Sequence, residues 1–136
     1  MSTADGDNYT VSIEKYAERH FIKSFSKKYK GAWNITQIAI VEQFRRFDVL
    51  VGATNNTEKI LIKDSQYIVK HDFKIAGTKE STKTSGDRAI VYVDVSLREC
   101  RVLLVYSKND ISPPNETQKW QALIRENYSD IWSKFS

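Results

Sequence analysis

Apolar and polar residues alternate along 9–14 (Tyr9, Thr10, Val11, Ser12, Ile13, Glu14), and a period of two marks a short strand. The period then lengthens. Tyr16, Ala17, His20, Phe21, Phe25 and Tyr29 recur every three or four residues, the apolar stripe of an amphipathic helix whose other side carries lysines. Lys30 and Gly31 end that helix. Asn34 is the predicted cap of a second one, with Gln37 three residues later as in a capping box. Ile38, Val41, Phe44, Phe47 and Val51 continue at helical spacing. So short a separation predicts an antiparallel helical hairpin, followed by a polar loop from Gly52 to Thr57.

The second half returns to a period of two. A short strand is predicted over 59–63 and a longer one over 67–76. In the longer one Tyr67, Val69, His71, Phe73 and Ile75 share one face, and Lys70, Asp72 and Lys74 share the other. Residues 77–87 are rich in Lys, Ser, Thr and Gly and read as an exposed loop. Strands over 88–95 and 100–107 follow, joined by a turn near Ser96 to Glu99. Ala89, Val91, Val93 and Val95 face one way; Arg88, Ile90, Tyr92 and Asp94 face the other. Ile111-Ser112-Pro113-Pro114 breaks the chain. Asn115 then caps a final helix striped by Trp120, Leu123, Ile124, Tyr128, Ile131 and Phe135. The predicted fold class is α+β: an antiparallel sheet packed against an N-terminal helical hairpin, with a C-terminal helix.

Composition bounds this picture. A chain of 136 residues suits one domain with one core, here 9–136, preceded by a flexible arm over 1–8. No window is long and apolar enough to span a membrane. The first residues lack the basic and apolar regions of a signal peptide. Cys100 is the only cysteine, so no intrachain disulfide forms, and a buried thiol fits its strand position better than a nucleophile does. Together these points predict a cytoplasmic protein. The net charge of +4 is mild, but its distribution is not even. Lys15, Arg19, Lys23, Lys27, Lys28 and Lys30 crowd the first helix, and Lys70, Lys74, Lys79, Lys83 and Arg88 crowd the middle of the chain.

Candidate chemistry is sparse. There is no P-loop and no dinucleotide-binding glycine pattern, and two histidines with one cysteine lack zinc-ligand spacing. His71 is either a histidine at the core edge with one hydrogen bond or a general base near neutral pH. His20 reads as structural. Lys79 and Lys83 read as a solvated loop or as part of an anion site with Lys70 and Lys74. Arg88 abuts a strand and follows Gly86, so its position is fixed, and an arginine so placed can grip phosphate bidentately. Tyr106 and Trp120 fit the core better than base stacking.

These residues carry a resemblance. The lysine-rich first helix, the loop opening into Gly86-x-Arg88-x-x-x-Tyr92, and the late strand Leu103-Leu104-Val105-Tyr106-Ser107-Lys108-Asn109-Asp110 before a terminal helix resemble the RelE/HigB-type toxins of the RelE/ParE superfamily. The resemblance covers about residues 9–128, and its most specific part is the late strand. It implies a microbial mRNA endoribonuclease, usually acting on the ribosome, that inhibits translation and is silenced by a cognate antitoxin protein. It implies attack of a ribose 2′-hydroxyl on the adjacent phosphate, with no metal or other cofactor and no membrane. Carried over residue by residue, Lys74, Arg88 and Lys108 form the catalytic set, to which His71 is added because either it or Lys74 is the candidate substitute for the family's acid–base pair. The RNA-binding set is Lys70, Lys79, Lys83, Tyr92 and Asn109. Two departures stand out. Asn109 replaces a second basic residue, and no tyrosine follows the last strand until Tyr128. The alternatives are a ParE-like toxin that binds protein without cleaving RNA, as gyrase inhibitors do, and an inactive homologue. The 115–136 stripe is the expected antitoxin contact, or ordinary core.

Overall fold

The computed structural model of the chain describes residues 8–136; apart from Asn8, the arm predicted over 1–8 lies outside the described residues. A short strand β1 (Thr10–Ile13) leads into the first helical segment. That segment comprises α1 (Lys15–Ala17), a wider π-helical turn (Glu18–Ile22) and α2 (Lys23–Arg45), which is interrupted at Lys30, where φ is 42° and ψ −116°. A straight helix from Lys15 to Arg45 would be about 45 Å long. Yet the Tyr9 amide donates to the Arg45 carbonyl at 2.8 Å, so the chain doubles back at Lys30. The predicted hairpin is therefore present. Its second arm starts directly after Lys30, without the expected cap at Asn34, and α3 (Phe47–Ala53) prolongs it.

Strands β2 (Thr57–Lys63), β3 (Gln66–Phe73), β4 (Asp87–Asp94) and β5 (Glu99–Tyr106) form a meander, and the sheet order is β1-β5-β4-β3-β2. The sheet is mixed: β1 runs parallel to β5, and the other neighbours are antiparallel. Alternation reveals a strand but not the direction of its partner, which is why the expectation of a wholly antiparallel sheet needs this correction. A short helix α4 (Thr82–Ser85) interrupts the predicted loop between β3 and β4. After β5 come α5 (Glu116–Asn127), α6 (Ser129–Trp132) and a 3₁₀ turn (Ser133–Phe135).

Helices cover both faces of the sheet. On one face Phe25, Trp33, Phe44 and Phe47 of the hairpin pack on Val69, Ala89, Val91, Cys100 and Val105. On the other, Trp120, Ile124 and Ile131 pack on Ile68, Ile90, Leu104 and Tyr106. Central strand β4 is consequently buried along nearly its whole length, as expected for a strand covered on both sides. Phe44 and Trp120 expose none of their surface; truncating either to alanine is expected to cost about 3–5 kcal/mol.

Two irregularities set which side chain faces which layer. The register of β4 on β5 slips between Ile90 and Val91, leaving Leu103 as an extra residue. Leu103 and Leu104 thus both join the core beneath α5, while Val102 and Val105 face the hairpin. The Tyr128 hydroxyl donates to the Leu103 carbonyl at 2.9 Å. In the first helix the wide turn sends Phe21 to the α5 side and Ile22 to the hairpin side. His20, placed on the apolar stripe by spacing alone, is instead exposed, with its ring 4.3 Å from that of Tyr16.

Candidate functional site

β3 ends at Phe73, β4 starts at Asp87 and β5 ends at Tyr106, all at one end of the sheet. The turn of the hairpin lies over this end, because Phe25 and Trp33 pack against Phe73 with ring centroids 5.9 and 6.2 Å apart. Chain topology therefore brings cations from separate elements together: Lys28 from the hairpin, Lys74 after β3, Lys79 and Lys83 around α4, and Lys108 after β5. Lys74 Nζ donates to the Thr78 carbonyl at 3.3 Å, and Lys108 Nζ lies 3.7 Å from Glu80 Oε2. Among the described residues Lys28, Lys74 and Lys79 make no salt bridge.

The 77–87 segment is held tightly rather than exposed throughout. Ser81 caps α4, its side chain accepting from the Thr84 amide while Thr84 returns a bond to the Ser81 amide. Ser85 is buried; its hydroxyl donates to the Phe73 carbonyl and accepts from the Asp87 amide at 3.1 Å. Gly86 ends the helix with φ at 75°, and a Cβ there would lie 2.6 Å from Lys108 Cβ. Only glycine meets both demands, so Gly86 lets the Lys108 stem cross directly over the start of β4.

Arg88 is fixed, as its position beside a strand predicts, but it is also occupied. It is 8% exposed. Its Nη1 donates to the carbonyls of Asp87 at 2.8 Å and Thr82 at 3.1 Å, and its Nη2 to the Lys83 carbonyl at 2.9 Å. Two of these are carbonyls of α4, so the guanidinium ties the helix to the start of β4. Arg88 Nε sits 2.9 Å from Asp72 Oδ1, with its N–H off the hydrogen-bond line, so this contact is an ion pair. Lys83 Nζ reaches the other oxygen of Asp72 at 2.7 Å, and Glu116 lies 3.9 Å from Arg88 Nε. The Tyr106 hydroxyl donates to Glu116 at 2.6 Å. Burial, with Glu116 adding to it, raises the Tyr106 phenol, so it stays protonated. Arg88 in this arrangement is a tether that holds α4 to the sheet.

The remaining predicted residues separate into two groups. Asn109 is exposed beside Lys108, at the same end as Lys74, Lys79 and Lys83. Tyr92, Lys70 and His71 lie elsewhere. Tyr92 faces the α5 side, 3% exposed, with its hydroxyl on Gln66 and its ring edge-on to Phe135. The C-terminal helices cover the face on which alternation placed it, so Tyr92 offers no surface to RNA. Lys70 is paired across the sheet with Glu58 and Ile90, further along β3. His71 faces the hairpin, on the opposite side of the sheet from Arg88, in the cross-strand row Thr57, His71, Ala89. Its Nδ1 is 2.8 Å from the Thr57 hydroxyl and its ring is edge-on to Phe44. Burial lowers its pKa to about 4, so it is neutral at pH 7 and a weak base. These surroundings are those of a core histidine, although it also lines a cavity of about 300 Å³ with Ile35, Thr36, Asn56 and Lys74.

Asp87 escaped the sequence reading. It opens β4 on the hairpin side, opposite Phe73, and is 8% exposed. Burial, reinforced by Glu80, raises its carboxyl to about 6 against the pull of Arg88, Lys108 and Lys28. Gly86-Asp87-Arg88 looks like the end of a loop, and nothing in it signals that the aspartate is enclosed. Cys100 is an inert thiol: it is buried, with Sγ 3.7 Å from the Phe44 carbonyl, and burial pushes it up to about 12. Trp120 and Tyr106 are core residues.

Fold and site together define an α+β domain with a five-stranded mixed sheet, clad on both faces and basic at one end. Comparison with models of known protein families, with curated proteins and with solved structures finds no match to this chain. Among the described residues no helix is long and apolar enough to cross a membrane.

Proposed function

We propose that the protein is a toxin of the RelE type, an endoribonuclease that cuts mRNA on the ribosome and is held in check by a cognate antitoxin. The observation that carries this reading is the placement of Lys28, Lys74, Lys79 and Lys108, from separate elements, at one end of the sheet. Attack of a 2′-hydroxyl on its neighbouring phosphate builds negative charge on the phosphorane oxygens, and cations fixed around that point lower the barrier. Lys108, whose stem is seated on Gly86, and Lys74 take the phosphate. Lys79 and Asn109 line the approach of the strand. Arg88 acts through α4, as a positioning residue. The order of strand, hairpin, meander and terminal helix agrees with what the resemblance implies.

The test is growth of cells expressing the chain. Expression is expected to arrest growth, and Lys108→Ala and Lys74→Ala, both at exposed positions, are expected to relieve the arrest without lowering Tm. Full toxicity of the double variant would refute this assignment.

A second reading has its own support. The Arg88 guanidinium is spent on three carbonyls and Asp72 within the protein, and Ile35, Ile38 and Val49 stand 61%, 56% and 66% exposed on the outer side of the hairpin and α3. Both features suit a toxin that acts by binding protein. Growth arrest that persists in Lys74→Ala/Lys108→Ala but is lost in Ile38→Asp would favour that reading.

A further inference from the structure

Between the hairpin and the turn after β5 lies a cleft of about 230 Å³, walled by Ser24, Lys28, Tyr29, Ser107, Asn109 and the carboxylate of Asp110. Its surfaces differ in chemistry. Tyr29 is half-buried and its ring is stacked 6.3 Å from Phe25, so one wall is an aromatic held in place from behind. Lys28 Nζ sits 5.2 Å from the Tyr29 ring centroid. On the facing wall the Ser107 hydroxyl is engaged with Asp110 at 3.2 Å, and the Asn109 backbone amide is fixed on Ser107 at 3.2 Å. The Asn109 side-chain amide projects from this anchored turn, and no hydrogen bond to it is formed among the described residues. Lys108, one residue earlier, is placed by Gly86. The cleft offers an aromatic face, a carboxamide and one lining cation, Lys28, while Lys108 stands in the chain between the lining residues Ser107 and Asn109; a nucleotide needs such groups for its base plane, base edge and phosphate.

We propose that this cleft is a nucleotide subsite, seating one unpaired RNA base against Tyr29 with its edge on Asn109 and its phosphate between Lys28 and Lys108. The inference rests on the RNA reading above and adds to it the residues that choose the nucleotide. It has a proton linkage. Asp87 follows Gly86, on which the Lys108 stem is seated; the charges acting on it are Glu80, Arg88, Lys108 and Lys28, and the Asp110 carboxylate lines the cleft itself. A phosphate drawn onto Lys28 and Lys108 adds negative charge beside a carboxyl that titrates near 6. Binding therefore raises that carboxyl further and takes up a proton, so affinity climbs as the pH falls through about 6.

The test uses the full chain and fluorescent single-stranded RNA hexamers whose 2′-hydroxyls are methylated, so that binding is read without cleavage. At fixed salt, Lys28→Ala, Asn109→Ala and Tyr29→Leu are each expected to weaken binding about tenfold. Lys63→Ala, at the far end of the sheet, is expected to change it less than about twofold. Asn109→Ala is also expected to reduce the preference among hexamers that differ at one base. From pH 7.5 to 5.5 the parent should tighten severalfold, and Asp87→Asn should flatten that dependence. If Lys108→Ala abolishes binding while Asn109→Ala and Tyr29→Leu bind like the parent, the subsite is refuted and the RNA reading survives. If the parent binds no hexamer and leaves ribosome-bound mRNA intact, both are refuted.

Discussion

Arg88 and Asp72 face each other across β4 and β3 as register partners, with Nε and Oδ1 2.9 Å apart and both side chains buried. The pair ties the connection between the strands to the sheet, because the same guanidinium holds the Thr82 and Lys83 carbonyls. Removing one partner of a buried ion pair leaves the other charge uncompensated, at about 3–5 kcal/mol. Arg88→Ala should therefore lower stability by that order in chemical denaturation, and Arg88→Lys by less. Asp72 retains Lys83 at 2.7 Å, which offsets part of the loss. An Arg88→Ala variant as stable as the parent would show that the tether carries no weight. A loss of toxicity in Arg88→Ala reports on RNA contact only if Tm is unchanged.

Gly86 and Lys108 form the second joint of the site. Gly86→Ala meets both a positive φ and a Cβ contact of 2.6 Å. A destabilisation of about 1–3 kcal/mol is expected. The two causes separate in the Lys108→Gly background, where the contact vanishes and only the backbone strain persists. The cost of Gly86→Ala, measured by urea denaturation, should be smaller there. Equal costs in both backgrounds would mean that the two chains do not press on each other.

His71 and Asp87 impose opposite pH dependences on the fold. His71 has its pKa lowered from 6.5 to about 4 by burial. The unfolded chain therefore binds the proton first, and the His71 contribution is lost as the pH falls from 6.5 towards 4. Asp87 has its pKa raised from 3.8 to about 6. The folded chain binds that proton first, so stability rises as the pH falls from 6 towards 4. Each effect is on the order of 3 kcal/mol, and in the parent they offset each other over the shared window. Unfolding followed from pH 7 to 4.5 should show a steeper acid loss in Asp87→Asn and a gain on acidification in His71→Asn. Parallel profiles for all three proteins would contradict both assignments.

Much of this architecture is written in the local pattern. The alternation at Val69, His71 and Phe73 and at Ala89, Val91 and Val93 assigned those side chains to one face, and all of them pack towards the hairpin. Spacing also found the hairpin and the C-terminal helix. Ser81, Thr84 and Gly86 carry the cap signals of α4, but a run of polar residues outweighed them and the segment read as loop. Other features depend on partners distant in sequence. The extra residue at Leu103 shifts the phase of β5, and no strand pattern announces a bulge. Tyr92 sits on the face that alternation gave it, yet only packing reveals that α5 and the last turn cover that face. Arg88 read as poised for phosphate because its partner Asp72 is 16 residues upstream and meets it only through the register of β3 and β4. Asp87 was invisible as a candidate for the same reason, since its burial comes from elements that converge only in the folded chain.

The central claim is that the lysines gathered at this end of the sheet serve RNA cleavage. It is tested most directly by adding the purified chain to a reconstituted translation reaction and mapping mRNA 5′ ends. The account predicts new ends within translated codons for the parent and at least a hundredfold fewer for Lys74→Ala/Lys108→Ala at unchanged Tm. No new ends with the parent, or the same ends at the same yield with the double variant, would contradict it.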